Sequence, residues 1–144
     1  DKIAVAQQGW LRTPHLQFVY ANALEYPLPE SDAFILNDIL HYMNYEHQRT
    51  LLLRCMEQLR PEGKLIVRDG NAANTRKHRL TRFTELLSTG IFSFNKTTEQ
   101  LCFTSEAQIR SIAQEGGMQL EILPNDRYTS NTIYIFQKNK PEHE

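Results

Sequence analysis

Two hydrophobic periods alternate along the chain. Ala33-Phe34-Ile35-Leu36 is an unbroken apolar run ending in Asn37-Asp38, the pattern of a parallel strand covered on both faces. Asp38 to Met43 then begins a short helix. From Glu46 to Arg60 the spacing is helical, with Leu52, Leu53, Met56 and Leu59 on one face, and Pro61 stops the helix. Lys64 to Arg68 returns to a buried strand, which ends in a second acid, Asp69. Thr75 to Leu87 is helical through Leu80, Phe83, Thr84 and Leu87. Ser88 to Cys102 is irregular, with Gly90, Phe92 and Phe94, and reads as a flap over a site.

Ser105-Glu106-Ala107-Gln108 is a capping box, in which serine and glutamine side chains satisfy free N–H groups at a helix start. The helix it opens turns Ile109, Ile112 and Ala113 inward and ends at Gly116-Gly117. Met118 to Leu123 and Asn131 to Gln137 read as strands joined by the turn-rich Pro124-Asn125-Asp126, hence an antiparallel hairpin. Upstream, Ile3 to Trp10 is helical, Leu16 to Ala21 is β-rich and reads as a strand, and Asn22 to Glu30 is a loop with two prolines. Lys138 to Glu144 is a polar tail.

Early alternation of strand and helix predicts an α/β fold with a mostly parallel sheet, closed by the antiparallel hairpin. In open sheets of this kind ligands sit just past the carboxyl ends of the strands. The Asn37–Tyr42 and Arg68–Asp69 clusters both fall there, which points to an enzyme acting on small molecules.

Composition narrows this further. The length of 144 residues fits one domain spanning 1–144, with 40% hydrophobic and 23% charged residues, as in ordinary globular proteins. A net charge of -1 gives no reason to expect nucleic acid. Arg76-Lys77-His78-Arg79 is the one local basic cluster, either a solvated helix start or a phosphate contact. No apolar run approaches the roughly 20 residues of a membrane span, and no signal peptide is present, so a cytoplasmic location is expected. Cys55 and Cys102 lie far apart in apolar surroundings and read as core thiols. There is no Gly-x-Ser-x-Gly elbow, Walker loop or Cys-x-x-Cys; the missing elbow and the terminal hairpin disfavour an α/β hydrolase or reductase. The chain starts at Asp1 directly in a helix, so it reads as a piece of a longer protein.

This order of elements, with these residues, resembles the C-terminal two-thirds of a class I S-adenosylmethionine-dependent methyltransferase. That Rossmann-like fold inserts its last strand antiparallel beside the fifth. Ile3-Ala4-Val5-Ala6 resembles the helix after the second strand. Phe18 to Ala23 is similar to the third strand and its adenine-contacting end, and Tyr26-Pro27-Leu28-Pro29 to the segment that follows. Phe34 to Met43 is similar to the fourth strand and its helix, Leu59 to Asp69 to the fifth, and Phe103 to Gln119 to the late helix, glycine and sixth strand. Ser130 to Lys138 resembles the seventh. The glycine-rich loop and the ribose-binding acid would lie before Asp1. The chain alone is therefore expected to bind S-adenosylmethionine weakly or not at all and to be inactive by itself.

The resemblance implies methyl transfer to a small-molecule or lipid-like acceptor. It places Asn22 and Ala23 at the adenine, with Asn22 standing where the family usually has Asp, and Asn37 and Asp38 at the methionine end. On the residues alone, Asn22 serves equally as a turn former and Asn37 or Asp38 as a helix cap. His41 and Tyr42 would face the acceptor, His41 as a proton acceptor, a role suited to imidazole; on the residues alone His41 serves equally as a partly buried histidine bonded to a backbone carbonyl. Asp69, with Arg68 and Asn71, would line the acceptor pocket or pair structurally. Asp38 and His41 also lie three apart as a weak metal pair, and no metal site is expected from two ligands. In the family sheet the first two strands lie between the third and fourth. Their absence would leave the fourth strand with an open edge, so either the third strand closes on it or two copies pair there as a homodimer. A non-catalytic interaction module is the alternative function.

Overall fold

The computed structural model of the chain describes residues 15–70, 102–123 and 131–138, together with Ile3, Val5 and Gln8. Among these residues the full elements are β1 (Ser31–Asn37), α1 (Tyr45–Glu57), β2 (Leu59–Gly70), α2 (Glu106–Glu115), β3 (Met118–Leu123) and β4 (Asn131–Lys138), with a 3-10 helix at Leu40–Tyr42. The strand order is β1-β2-β4-β3. β1 runs parallel to β2, with Phe34 opposite Leu65 and Leu36 opposite Val67. β4 lies antiparallel between β2 and β3. The C-terminal pair therefore joins the sheet through its second member, as the sequence leads one to expect.

Strand alternation sets the core. Leu65, Val67 and Asp69 on β2 share a buried face with Thr132, Tyr134 and Phe136 on β4. α1 adds Gln48, Leu51, Leu52, Cys55 and Met56, and α2 adds Ile109, Ile112 and Ala113. Both helices join the same cluster, so they cover one side of the sheet. The apolar run of β1 is accordingly not covered on both faces: Phe34 and Leu36 pack inward, while Ile35 is 70% exposed. The buried stripe of α1 is also rotated from the expected one. Leu51 and Cys55 are in the core, and Leu53 is only half-buried.

Local chemistry accounts for the element ends. Asn44 caps α1 by accepting from the His47 N–H at 2.9 Å. The helix stops at Glu57, before the expected Arg60, because the Gln58 carbonyl accepts from Ser31 N–H at 2.9 Å and hands the chain to β1. β2 thus starts at Leu59 rather than Lys64. Pro61 falls within its irregular entry, where the register shifts from Ser31 opposite Leu59 to Ala33 opposite Lys64. Gly63 suits this close approach, since a Cβ would sit a tight 3.0 Å from the carbonyl oxygens of Arg60 and Asp32. The capping box forms as expected: Gln108 N–H donates to Ser105 Oγ at 3.3 Å, and Ser105 N–H to Gln108 Oε1 at 2.9 Å. α2 ends at Glu115 with Gly116 as its cap, and Gly117 turns the chain into β3 at φ 65°, a conformation that suits glycine.

Residues 16–21, expected as a strand, belong to no sheet ladder. Backbone in a strand needs a neighbouring strand to satisfy it, and none of the described strands lies alongside. It follows that residues 16–21 do not close on β1, whose outer edge is unpaired among the described residues. Ile3 and Val5 are helical, as expected of that stretch. The expected helix at 75–87, the flap at 88–101, Asn71 and the cluster at 76–79 lie outside the described residues.

Two buried groups register their surroundings. Burial pushes the Cys55 thiol up to about 11. Burial also raises the Tyr134 phenol; Thr132 opposes that push, but no hydrogen bond of ordinary geometry reaches the Tyr134 hydroxyl among the described residues. Both cysteines are free thiols.

Candidate active site

Because β1 and β2 are parallel, their carboxyl ends lie at one edge of the sheet, and antiparallel β4 begins there at Asn131. β1 leaves this edge through Asp38, a non-glycine residue at φ 54° whose N–H donates to the Arg68 carbonyl at 2.8 Å. Non-glycine residues in this region are uncommon, and those that persist concentrate at functional sites. The chain then forms the 3-10 helix Leu40–Tyr42, later and tighter than the helix expected from Asp38.

That helix has no side-chain cap of its own. Its free N–H groups are met from across the sheet. Asp69 Oδ2 accepts from Leu40 N–H at 2.7 Å and from His41 N–H at 3.3 Å. Asp69 Oδ1 lies 2.6 Å from His41 Nδ1 and accepts from Gly70 N–H at 2.7 Å. Asp69 is 4% exposed and His41 8%. A carboxylate saturated with backbone donors presents only acceptor lone pairs to the ring. In the neutral ring Nδ1 then carries the proton and Nε2 is the basic nitrogen. Nε2 has no hydrogen-bond partner among the described residues.

The ring is held on its faces as well. Phe103 stacks on it at 5.5 Å and 22°, and Tyr42, 45% exposed, meets it at 4.2 Å and 45°. The His41 carbonyl accepts from Cys102 N–H at 3.0 Å. Beneath this turn Gln48 is fully buried and bonded to the backbone on both sides of it.

Beside the pair lies a second polar cluster. Arg68 Nη1 donates to Asn37 Oδ1 at 3.1 Å and pairs with Asp38 Oδ2. Asn131 Nδ2 donates to Asp38 Oδ1 at 2.8 Å. Arg68 and Asp69 therefore pair not with each other but with the turn after β1. Neither Asn37 nor Asp38 caps the 3-10 helix; that duty falls to Asp69. Asp38 and His41 have separate partners, and among the described residues no three His, Cys, Asp or Glu side chains gather as metal ligands.

Asn22 and Ala23 lie elsewhere in this network. Asn22 Oδ1 accepts from Leu24 N–H at 3.1 Å and its Nδ2 donates to Glu25 Oε1 at 2.9 Å, which is the side-chain turn geometry asparagine favours. Arg54 of α1 donates to the carbonyls of Ala23 at 2.9 Å, Leu24, and Tyr26 at 2.6 Å. Arg54 is ten positions past the Asn44 cap, about 15 Å along the helix axis. No hydrogen bond joins Asn22 or Ala23 to the His41–Asp69 pair among the described residues. The structure thus brings His41, Tyr42 and Asp69 together, sets Asn37 and Asp38 beside them, and holds Asn22 and Ala23 on a separate turn.

Phe103, Gln48, Arg68 as a partner of Asp38, and Asn131 were not singled out for these roles by sequence. Gln48 carries a readable signal, since it stands four positions before Leu52 on the apolar stripe of α1. Asn131 carries none.

Solved structures share this fold at low identity. Human N-acetylserotonin methyltransferase in complex with SAM superposes with a TM-score of 0.68 at 17% identity, over 96% of this chain and 38% of that one. Magnesium protoporphyrin IX methyltransferase from Synechocystis PCC 6803 with bound SAM gives 0.62 at 13%, over 94% and 52%. Mitomycin 7-O-methyltransferase gives 0.63 at 17%, over 85% and 34%. The chain thus spans between about a third and a half of these proteins. No curated protein matches the sequence. A family model describing the O-methyltransferase domain matches residues 3–119, most of the chain. The chain belongs to the O-methyltransferase domain family.

Proposed function

We propose that this domain supplies the acceptor-side chemistry of an S-adenosylmethionine-dependent O-methyltransferase, with His41 as the proton acceptor. The observation that carries the reading is the buried Asp69 carboxylate bonded to His41 Nδ1, which leaves Nε2 as the basic atom. The acceptor is a small or lipid-like molecule with a hydroxyl. Mitomycin 7-O-methyltransferase and N-acetylserotonin methyltransferase, similar in fold, act on small molecules by their names.

S-adenosylmethionine, when bound, supplies a methyl group on a sulfonium leaving group. As the acceptor oxygen closes on that methyl carbon, its proton passes to His41 Nε2. Asp69 holds the Nδ1 proton and stabilises the imidazolium that forms. Phe103 and Tyr42 keep the ring from rotating and shield it from water. Acting at one fixed place, the pair contributes positioning as well as basicity.

The rim residues suit the cofactor's chemistry. Its ammonium and adenine amino groups are donors and need acceptors. Asp38 has two hydrogen-bonded neighbours, while a carboxylate can accept about four. Asn37 and Asp38 would hold the methionine end. Asn22 Oδ1 accepts one hydrogen bond among the described residues, and its second acceptor position would take the adenine amino group, beside the Ala23 backbone. On this reading the 144-residue chain by itself binds the cofactor weakly and is inactive.

The test is calorimetric titration of S-adenosylhomocysteine into this chain and into a chain extended upstream, followed by His41→Gln in the form that transfers methyl. Binding by the extended form and loss of turnover in His41→Gln are expected. Binding by neither length refutes the enzyme reading and favours the alternative, a non-catalytic association module. That second reading rests on the edge of β1, unpaired among the described residues, and its exposed Ile35. It expects a homodimer through this edge, and light scattering showing a monodisperse monomer would refute the pairing.

A further inference from the structure

Gln48 is a fully buried polar side chain on the apolar face of α1. Such a group is costly unless every polar atom is satisfied. Here each is. Nε2 donates to the carbonyls of Leu40 at 3.0 Å, Met43 at 2.9 Å and Cys102 at 2.7 Å. Oε1 accepts from the Thr104 hydroxyl. An amide has two N–H groups, so three carbonyls share them, and the carboxamide plane is fixed by all three.

The partners are informative. Leu40 and Met43 bracket His41 and Tyr42. Cys102 and Thr104 bracket Phe103, whose ring stacks on His41. The Cys102 N–H also donates to the His41 carbonyl. One side chain therefore clamps the two backbone segments that carry the stacked rings. An apolar residue of similar volume would fill the space but hold neither segment.

We propose that Gln48 is a positioning residue for His41: it sets the distance between the 40–43 turn and the 102–104 segment, and so fixes the imidazole between Asp69 and Phe103. The inference rests on the reading of His41 as the proton acceptor, which gives that fixed ring its use. Gln48 itself touches no substrate and moves no proton. Its effect is on where Nε2 points.

The test is spectroscopic and does not require activity. In the 144-residue chain the His41 Nδ1 proton, in a 2.6 Å contact with a carboxylate, gives a far-downfield resonance, and its ring protons are shifted by the Phe103 ring. Gln48→Leu is expected to broaden or abolish the downfield signal and collapse the ring-current shift. Leu52→Ala, on the same helix and also fully buried, is the control for general destabilisation and is expected to leave both signals in place. In the form that transfers methyl, Gln48→Leu is expected to lower kcat about tenfold or more with the cofactor KM unchanged, equivalent to ~1.4 kcal/mol of barrier. Unchanged His41 signals in folded Gln48→Leu overturn the proposal, as does an equal change in Leu52→Ala. Should Gln48→Leu fail to fold, Thr104→Val removes one partner of the amide and is read the same way. If neither chain length binds S-adenosylhomocysteine, the catalytic reading falls while these signals still decide the positioning role.

Discussion

Replacing Asp69 by Asn keeps the shape of the side chain and removes its charge. The structure shows why that is not a mild change. Each carboxylate oxygen accepts twice: Oδ2 from Leu40 and His41 N–H, Oδ1 from Gly70 N–H and the His41 ring. However the new amide is turned, its NH2 meets donors. Turned toward the 3-10 helix, it leaves two buried N–H groups without an acceptor. Turned the other way, it orphans Gly70 N–H and drives His41 into the tautomer that places its proton on Nε2. A buried donor left unsatisfied costs about 1–3 kcal/mol, and the surviving bonds weaken without the charge. The cheaper orientation thus loses about 2–4 kcal/mol, out of the roughly 5–15 kcal/mol typical of a domain. With a urea slope of about 2 kcal/mol/M, the midpoint should fall by about 1–2 M. Asp38→Asn is the comparison: that carboxylate is 38% exposed in its pair with Arg68, and pairs of this kind contribute about 0–1 kcal/mol. Equal losses in the two variants, or a loss below about 0.5 kcal/mol for Asp69→Asn, would refute the account of Asp69 as the remote cap of the 3-10 helix.

Three further outcomes follow from burial and bonding. The Cys55 thiol titrates at about 11 in the fold against 9.0 in the unfolded chain, so the unfolded state loses its proton first; stability holds below about pH 9 and falls between pH 9 and 11, by about 2–3 kcal/mol in total. Cys55→Ala should flatten that part of the profile in denaturant melts taken at pH 8 and pH 10.5. Tyr134→Phe removes a buried hydroxyl without a partner among the described residues and should stabilise the domain by about 1 kcal/mol, read as a raised urea midpoint. Arg54→Ala frees the carbonyls of Ala23, Leu24 and Tyr26, which should speed hydrogen exchange at the Leu24, Glu25 and Tyr26 amides while costing about 1.5–3 kcal/mol.

Features encoded within a few residues were readable from the chain. Ser105 and Gln108 are three apart and cap their helix as expected. The antiparallel pair β3–β4 followed from two β-rich runs and a turn, and the parallel β1–β2 pair from βαβ order. Helix α1 was placed, but its end was not, because Gln58 is claimed by Ser31, a residue distant in sequence. Residues 16–21 have strand composition, yet composition cannot supply a neighbour to pair with. The same limit applies at the site. His41, Tyr42 and Asp69 were each nameable as carboxyl-end residues. That Asp69 serves His41, across 28 positions, depends on the β1–β2 register. Asn22 is a local case: the turn-forming role open to it on the residues alone is the one its side-chain bonds to Leu24 and Glu25 fulfil.

The Asp69 bonds also act on how the parallel strands find each other. A slip of one residue between β1 and β2 would turn the whole of β2 inside out, and hydrophobic burial already forbids it. A slip of two preserves the apolar pattern and is the error that greasiness alone would miss. It would carry the acid about 6.6 Å from Leu40 and His41, stranding two amides in the interior. The same carboxylate that steadies the histidine therefore acts as a key for alignment, rejecting the one misthreading that the core would tolerate.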